Sequence, residues 1–291
     1  MKKLILPVPE DFSFNSTLYS HGWIDLAPFA YINRSDTIRY KFFGQDETVT
    51  DLKITWSEQH FLELSYDHGE EMDIRSTVKR IFRLDEDLSE FYDLIDGIPD
   101  LQWIREKGAG RMLRSGSLWE DLVKMLFTTN CSWAMTRHMV NNIMEKIADG
   151  KAFPTPAMIA AHSETFLREK VRLGYRAPYV HALAWSVVEG KADLAEIENW
   201  QSTEESLFRR LLGIKGIGPY AAGSLMKLLG HYQRTAPDSW SRKKFMQFRG
   251  HTSMPGDAEI SAYYEPFGKW AGLVFWLEMT KTWYFQSEVF A

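Results

Sequence analysis

Apolar and polar positions follow two different rhythms along the chain. From residue 1 to about 73, apolar and aromatic residues alternate with polar ones, most clearly in Thr37–Phe43 and Leu52–Trp56. Turn-forming pieces (NRSD, GQDE, YDHG) separate these runs. Successive side chains of a strand point to opposite faces, so this stretch predicts a small antiparallel sheet. From about Ile74 the period lengthens. Leu118, Leu122, Val123, Leu126 and Phe127 share one face of a helix that Ser117 can cap. Met135, Met139, Val140, Ile143 and Met144 repeat the pattern, as do Val180, Leu183, Ala184 and Val187–Val188. Leu207, Leu211 and Leu212 continue it, then Leu225, Leu228 and Leu229, with short Gly-, Pro- or Ser-rich breaks between. The expected fold class is α+β, with an N-terminal antiparallel β domain over residues 1–73 and an all-helical body over residues 74–291.

Composition narrows this picture. A chain of 291 residues suits two or three packed subdomains, and 45% hydrophobic with 25% charged residues is an ordinary globular balance. The formal net charge of −5 argues mildly against a protein that coats nucleic acid, although a local basic face can still bind phosphates. A single cysteine, Cys131, excludes a disulfide framework and any four-cysteine zinc or iron–sulfur site within the chain. Cys131 itself reads as a small buried filler. The opening MKKLILPVPEDF is too short an apolar run for a signal peptide or membrane anchor, so a soluble cytoplasmic protein is expected, nucleoid-associated if bacterial. No metal-ligand spacing stands out, and no cofactor is expected. Eleven tryptophans are more than packing usually needs and point to an aromatic pocket.

The segment carrying the most chemistry is LLGIKGIGPYAAG, residues 211–223, within a helical hairpin spanning about residues 207–230. An apolar helix runs into Gly213, the chain turns through Gly216-Ile217-Gly218, and Pro219 can open a second helix. Gly216 and Gly218 are expected to permit torsions and close approaches that a Cβ would block. The first amides of the second helix can then face a phosphate. Twenty residues beyond Gly218 comes Pro237-Asp238-Ser239-Trp240. Taken alone, Asp238 or Ser239 is a helix cap. Beside a phosphate-gripping hairpin, however, a carboxylate at a helix start would lie next to the sugar of the gripped strand.

These residues resemble the helix-hairpin-helix DNA glycosylase superfamily, in particular its 3-methyladenine glycosylase II and 8-oxoguanine glycosylase members. The hairpin and the PDSW motif look like that family's hairpin and catalytic aspartate. Residues 110–140, GRMLRSGSLWEDLVKMLFTTNCSWAMTRHMV, are similar to the segment whose side chain is inserted into the base stack. FNSTLYSHGW (14–23) resembles the opening of the small β domain, and LGYRAPYV (173–180) resembles the matching part of 8-oxoguanine enzymes.

The resemblance implies a base-excision-repair enzyme that flips a damaged base from double-stranded DNA and hydrolyses its N-glycosidic bond, acting as a monomer and without a membrane. Asp238 would be catalytic, stabilising the positive charge that develops on the sugar. Asn130 would fill the hole left by the flipped nucleotide. Lys215, Gly216, Gly218, Arg242 and Lys243 would contact DNA, with Lys244 and Arg249 extending the basic face. Tyr220 and Trp240 would wall the base pocket, while Trp270, Trp276 and Trp283 are each more expected in the core, and His181 is read as structural. Strand-cutting relatives carry a Schiff-base lysine two positions after the last hairpin glycine; this chain has Tyr220 there, which implies a monofunctional enzyme. Tyr220 and the aromatic-rich body favour alkylated purines, whereas LGYRAPYV leans toward 8-oxoguanine. A helix-hairpin-helix module that only grips DNA is the competing class, and Asp238 is what it would leave without a role.

Overall fold

Residues 1–33, 36–57 and 59–286 are described in a computed structural model of the chain. Five strands form one antiparallel sheet: β1 (Lys2–Pro7), β2 (Ala30–Asn33), β3 (Thr37–Phe43), β4 (Val49–Ser57) and β5 (Phe61–Tyr66). Their spatial order is β1-β5-β4-β3-β2. The register aligns Leu4, Leu64, Ile54 and Ile38 across four strands, and all four are buried. That row is the physical content of the period-two pattern: one face of the sheet meets the core and the other meets solvent. Two residues of the NRSD turn, Arg34 and Ser35, lie outside the described residues, as do 287–291.

One stretch of the N-terminal region departs from the expected sheet. Residues 14–18 form a short helix, α1 (Phe14–Leu18), capped by Ser13, and Gly22–Asp25 form a 3-10 turn. Phe14 packs at 5.4 Å from Phe82, so a buried aromatic contact overrides the strand-like composition here.

Helices follow. α2 (Glu71–Phe82), α3 (Ser89–Ile95) and α4 (Gln102–Glu106) come first, so the expected boundary at residue 73 falls in the first turn of α2. α5 (Leu118–Thr128) and α6 (Trp133–Ala148) form the next pair. Ser117 caps α5 as expected, its Oγ accepting from the Glu120 amide at 3.3 Å. α7 (Pro156–Ala160), α8 (Glu164–Glu169), α9 (Ala177–Val188) and α10 (Leu194–Glu198) follow. The hairpin is α11 (Glu204–Leu212) and α12 (Pro219–Leu229), and α13 (Ser239–Arg249), α14 (Asp257–Tyr264) and α15 (Ala271–Gln286) close the body. Val188, Leu212 and Met135, expected on the buried faces, are exposed, and each stands in the first or last turn of its helix. No helix among the described residues is long and apolar enough to cross a membrane.

The sheet and the helices share one continuous buried cluster. Polar bolts cross the boundary. The Tyr40 hydroxyl donates to Glu120 at 2.6 Å, Trp23 Nε1 donates to Asp121 at 2.7 Å, and Arg111 pairs with Asp11 at 3.0 Å. Glu120 and Asp121 are themselves neutralised by Lys124 and Arg80, as buried carboxylates require. These bolts hold the 3-10 turn at residues 22–25 against α5, where it forms part of a cavity wall.

Candidate active site

The hairpin turn is set by one glycine more than the other. Gly216 has φ of +93°, and a Cβ there would lie 2.6 Å from the Tyr179 ring and 2.9 Å from Leu126. It needs both the left-handed torsion and the close approach. Gly218 does not, which corrects the expectation for that residue: its φ of −91° is open to any residue, and a Cβ there would meet nothing within 4 Å. Gly218 is the N-cap of α12 and offers no side chain to the first amides, so they carry no side-chain cap. Ile217 is buried and anchors the turn, and Lys215 is exposed beside it.

After α12 the chain returns along it through residues 234–236. Gly223 makes this possible, since a Cβ there would sit 2.4 Å from the Ala236 side chain. Ala236 takes a left-handed φ of 47°, a conformation that costs an alanine about 1 kcal/mol or more and persists only where packing enforces it. Pro237 and Asp238 follow immediately. Asp238 is the N-cap of α13, with Oδ1 accepting from the Ser241 amide at 2.7 Å and from the Ser241 hydroxyl at 2.6 Å. The expected cap is therefore present, and Oδ1 carries it. Among the described residues Oδ2 has no hydrogen bond, and Asp238 lines a cavity of about 750 Å³.

That volume falls within the range of small-molecule pockets. Tyr220, Trp240 and Asp238, named separately from the sequence, meet on its wall. Burial, and then the Asp238 carboxylate, push the Tyr220 hydroxyl up to about 12, so it stays neutral. Trp276 and Trp283, expected in the core, line the cavity as well: Trp283 stacks on Trp240 at 5.3 Å between centroids, and Trp276 lies 6.3 Å from it. Trp270 is core, packed between Phe91 and Tyr232. His21 and Trp23 of the N-terminal region also line the cavity, next to the Ser20 carbonyl that accepts from Trp276 Nε1 at 2.8 Å. Cys131, expected as a buried filler, is only half-buried and also lines the cavity, its thiol donating to the Phe127 carbonyl at 2.9 Å.

Sequence reasoning missed Lys227. It lies seven residues after Tyr220 on α12, hence two turns along the same face, and its side chain is buried where it lines the cavity. Its Nζ donates to the carbonyls of Arg234 at 3.2 Å and Thr235 at 3.1 Å. Burial pulls the amine down to about 7, and the Asp238 carboxylate offsets part of that. The period of α12 could have revealed this position, but nothing in the sequence distinguishes a lysine on a buried face from one at its edge.

The residues of the expected basic face differ in how far they are already paired. Arg242 is tied to Asp257 and to the Pro255 carbonyl. Arg249 is paired with Glu278 at 2.8 Å and packed 4.1 Å from the Tyr263 ring centroid. Neighbouring carboxylates on α14 and α15 claimed both guanidiniums, a long-range pairing that sequence spacing does not reveal. Lys215 and Lys243 remain exposed, and Lys244 lies 5.9 Å from the Trp240 ring centroid. Asn130 is exposed in the α5–α6 loop at a left-handed φ of 49°; the cap of α6 is Ser132, so Asn130 has no capping role. The LGYRAPYV segment holds this loop: Tyr175 and Arg176 both donate to the Thr129 carbonyl, and Arg176 also reaches the Leu126 carbonyl at 3.2 Å. His181 accepts a hydrogen bond from Trp185 at 3.2 Å, on the same helix.

No family model matches the sequence, and no curated protein matches it. Solved structures match its fold. The 8-oxoguanine glycosylase/lyase of Clostridium acetobutylicum, in its apo form, superposes with a TM-score of 0.74 at 19% identity, over 96% of each chain. The 3-methyladenine DNA glycosylase of Archaeoglobus fulgidus gives 0.70 at 18% identity, over 96% of this chain and 97% of that one. The 3-methyladenine DNA glycosylase of Schizosaccharomyces pombe, in complex with abasic DNA, gives 0.52 at 18% identity, over 72% of this chain and 96% of that one. The chain therefore has the fold of these solved 8-oxoguanine and 3-methyladenine DNA glycosylases.

Proposed function

We propose that this protein is a DNA glycosylase of base excision repair, which takes a damaged base into the aromatic cavity and hydrolyses its N-glycosidic bond with Asp238. The observation that carries the reading is Asp238 itself. One oxygen is spent on the helix cap and the other is left to a cavity large enough for a purine. In the reaction the C1′–N bond breaks with its electrons leaving on the base, and the sugar becomes cationic. The Asp238 carboxylate stabilises that charge, and a water adds to C1′ while its proton goes to solvent or to the departing base. Exposed Lys215 and the uncapped amides of α12 would hold a phosphate nearby. Asn130, on the loop beside the cavity residues Thr128 and Cys131, would occupy the vacated stack.

The finer reading is a monofunctional enzyme acting on alkylated purines. Tyr220 supports the first part, since a phenol cannot form a Schiff base with the sugar aldehyde. The tryptophan-lined wall supports the second, because stacked rings attract an electron-poor, positively charged purine. The segment that leans toward 8-oxoguanine, LGYRAPYV, grips the end of α5 rather than the cavity, so it speaks to loop position and not to the base. A module that only grips DNA would have no use for the cavity.

The test is release of free base from a panel of duplexes bearing methylated, oxidised or deaminated purines, for the wild type and for Asp238→Asn. Wild-type release from at least one lesion is expected. The substitution should lower it by about two orders of magnitude or more while duplex binding persists, since it removes charge but keeps shape. No release from any lesion would refute the enzyme reading. An Asp238→Asn rate within about threefold of wild type would remove Asp238 from the chemistry.

A further inference from the structure

The buried lysine on the cavity wall has no part in the mechanism above, and its surroundings suggest one. A protonated lysine has three N–H bonds, and two are taken by the carbonyls of Arg234 and Thr235. One tetrahedral position is left. In the ammonium it is a third N–H, and in the neutral amine it is a lone pair. The side chain lines the same cavity as Asp238 and the stacked tryptophans, so a base held there meets whichever of the two is present. The two forms act in opposite ways on a purine that carries a positive charge. A lone pair accepts from its acidified exocyclic N–H, while an ammonium repels it in a site where water screening is weak.

We propose that Lys227 reads the charge of the extruded base: as a neutral amine it accepts a hydrogen bond from a cationic N-alkylated purine, and as an ammonium it excludes that purine. This rests on the glycosylase reading and makes Lys227 a residue that determines specificity. The local chemistry allows both forms near neutrality, because burial lowers the amine to about 7 against the pull of Asp238. The other titratable groups on the cavity wall are Asp238 and Tyr220 from the hairpin side, and His21, Asp25, Tyr19, Tyr31 and Cys131 from the facing elements. Two of them hold one charge state across the same interval: His21 is brought down to about 4 by burial, and Tyr220 is raised to about 12 by burial and by Asp238.

The test is the rate of 3-methyladenine release from dimethyl-sulfate-treated duplex DNA between about pH 6 and pH 8.5, corrected for spontaneous loss, for the wild type and for Lys227→Met. The wild-type rate should rise about tenfold per pH unit below a midpoint near 7 and level off above it, the behaviour of one essential deprotonation. Lys227→Met should be flat over the same range and should exceed the wild type at the acid end. A pH limb that survives in Lys227→Met would assign it to another group and overturn the proposal. So would a flat wild-type profile, which needs no variant and stands even if Lys227→Met fails to fold. Release of neutral purine lesions alone, at every pH, would overturn it while leaving the glycosylase reading intact. No release of any base would overturn both.

Discussion

At the scale of single residues, the proposed chemistry turns on Asp238 and Tyr220. In that proposal Asp238 would add a reactive role to its structural one, because a carboxylate has two oxygens. Oδ1 accepts from the amide and the hydroxyl of Ser241 in the first turn of α13, which fixes the group's orientation, and Oδ2 is left for the cavity. Tyr220, on the same cavity wall, is a neutral phenol, so the position offers no amine. Water should therefore complete the reaction. Borohydride added during turnover should trap no covalent protein–DNA adduct, read as the absence of a shifted band on a denaturing gel. A trapped band that vanishes in Lys215→Gln, Lys243→Gln or Lys227→Met would instead place a strand-cutting lysine elsewhere in the site.

At the scale of elements, the α11–α12 hairpin gives its two glycines different work. Gly216 is locked by its φ of +93° and by the Tyr179 ring and Leu126 packed against it; Gly218 is free in both respects. Gly216→Ala should cost stability, by about 1–3 kcal/mol from the left-handed torsion and the clash with Tyr179. Gly218→Ala should cost less, about 0.5–1 kcal/mol for replacing a glycine N-cap by alanine, but should weaken duplex binding, because the new methyl would stand beside the first amides of α12. Denaturation and binding at one fixed salt concentration measure the pair. Equal stability losses in both variants would contradict this division. The LGYRAPYV segment acts at the same scale. Its arginine and tyrosine satisfy carbonyls at the end of α5, and its Tyr179 fills the space that Gly216 vacates, so one helix start positions both the Asn130 loop and the hairpin turn.

At the scale of the whole molecule, the sheet and the helical body are joined by buried polar groups whose charge depends on pH. His21 is enclosed between the N-terminal region and α5, with Nε2 donating to the Leu113 carbonyl at 2.5 Å. Desolvation dominates the bond to Leu113 and the attraction of Asp121, and lowers the imidazole from 6.5 to about 4. The folded value lies below the unfolded one, so on acidification the unfolded chain takes up its proton first. The contribution is complete above about pH 6.5, declines between about 6.5 and 4, and is lost below that. It amounts to roughly 3 kcal/mol, since one pKa unit is about 1.4 kcal/mol. Urea midpoints measured from about pH 7.5 down to about pH 4.5 should fall, and His21→Gln should flatten the decline. An unchanged slope in that variant would place the effect in other groups.

Much of this was legible in the sequence, for reasons that differ by residue. Alternation fixed the sheet because strand geometry has a period of two, and Leu4, Leu64, Ile54 and Ile38 duly share a buried row. Ser117 announced the start of α5, and the proline and glycines of residues 216–219 announced the turn between α11 and α12, because caps and turns are local. Asp238 was legible as a cap for the same reason. What local rules cannot reach was decided by packing between distant segments. Arg242 and Arg249 took ion-pair partners, Asp257 and Glu278, on helices that sequence spacing does not bring beside them. Residues 14–18 and 22–25 became helical turns, with Phe14 packed on Phe82 and Trp23 bound to Asp121, and the second turn lines the cavity. Trp276 and Trp283 became pocket instead of core, and Lys227 became a buried amine, because side chains from α12, α13 and α15 converge on one space. The chain itself determined its elements and their caps; only the tertiary structure decided which charges were left unpaired and which rings enclosed a void, since both depend on neighbours that sequence distance does not encode.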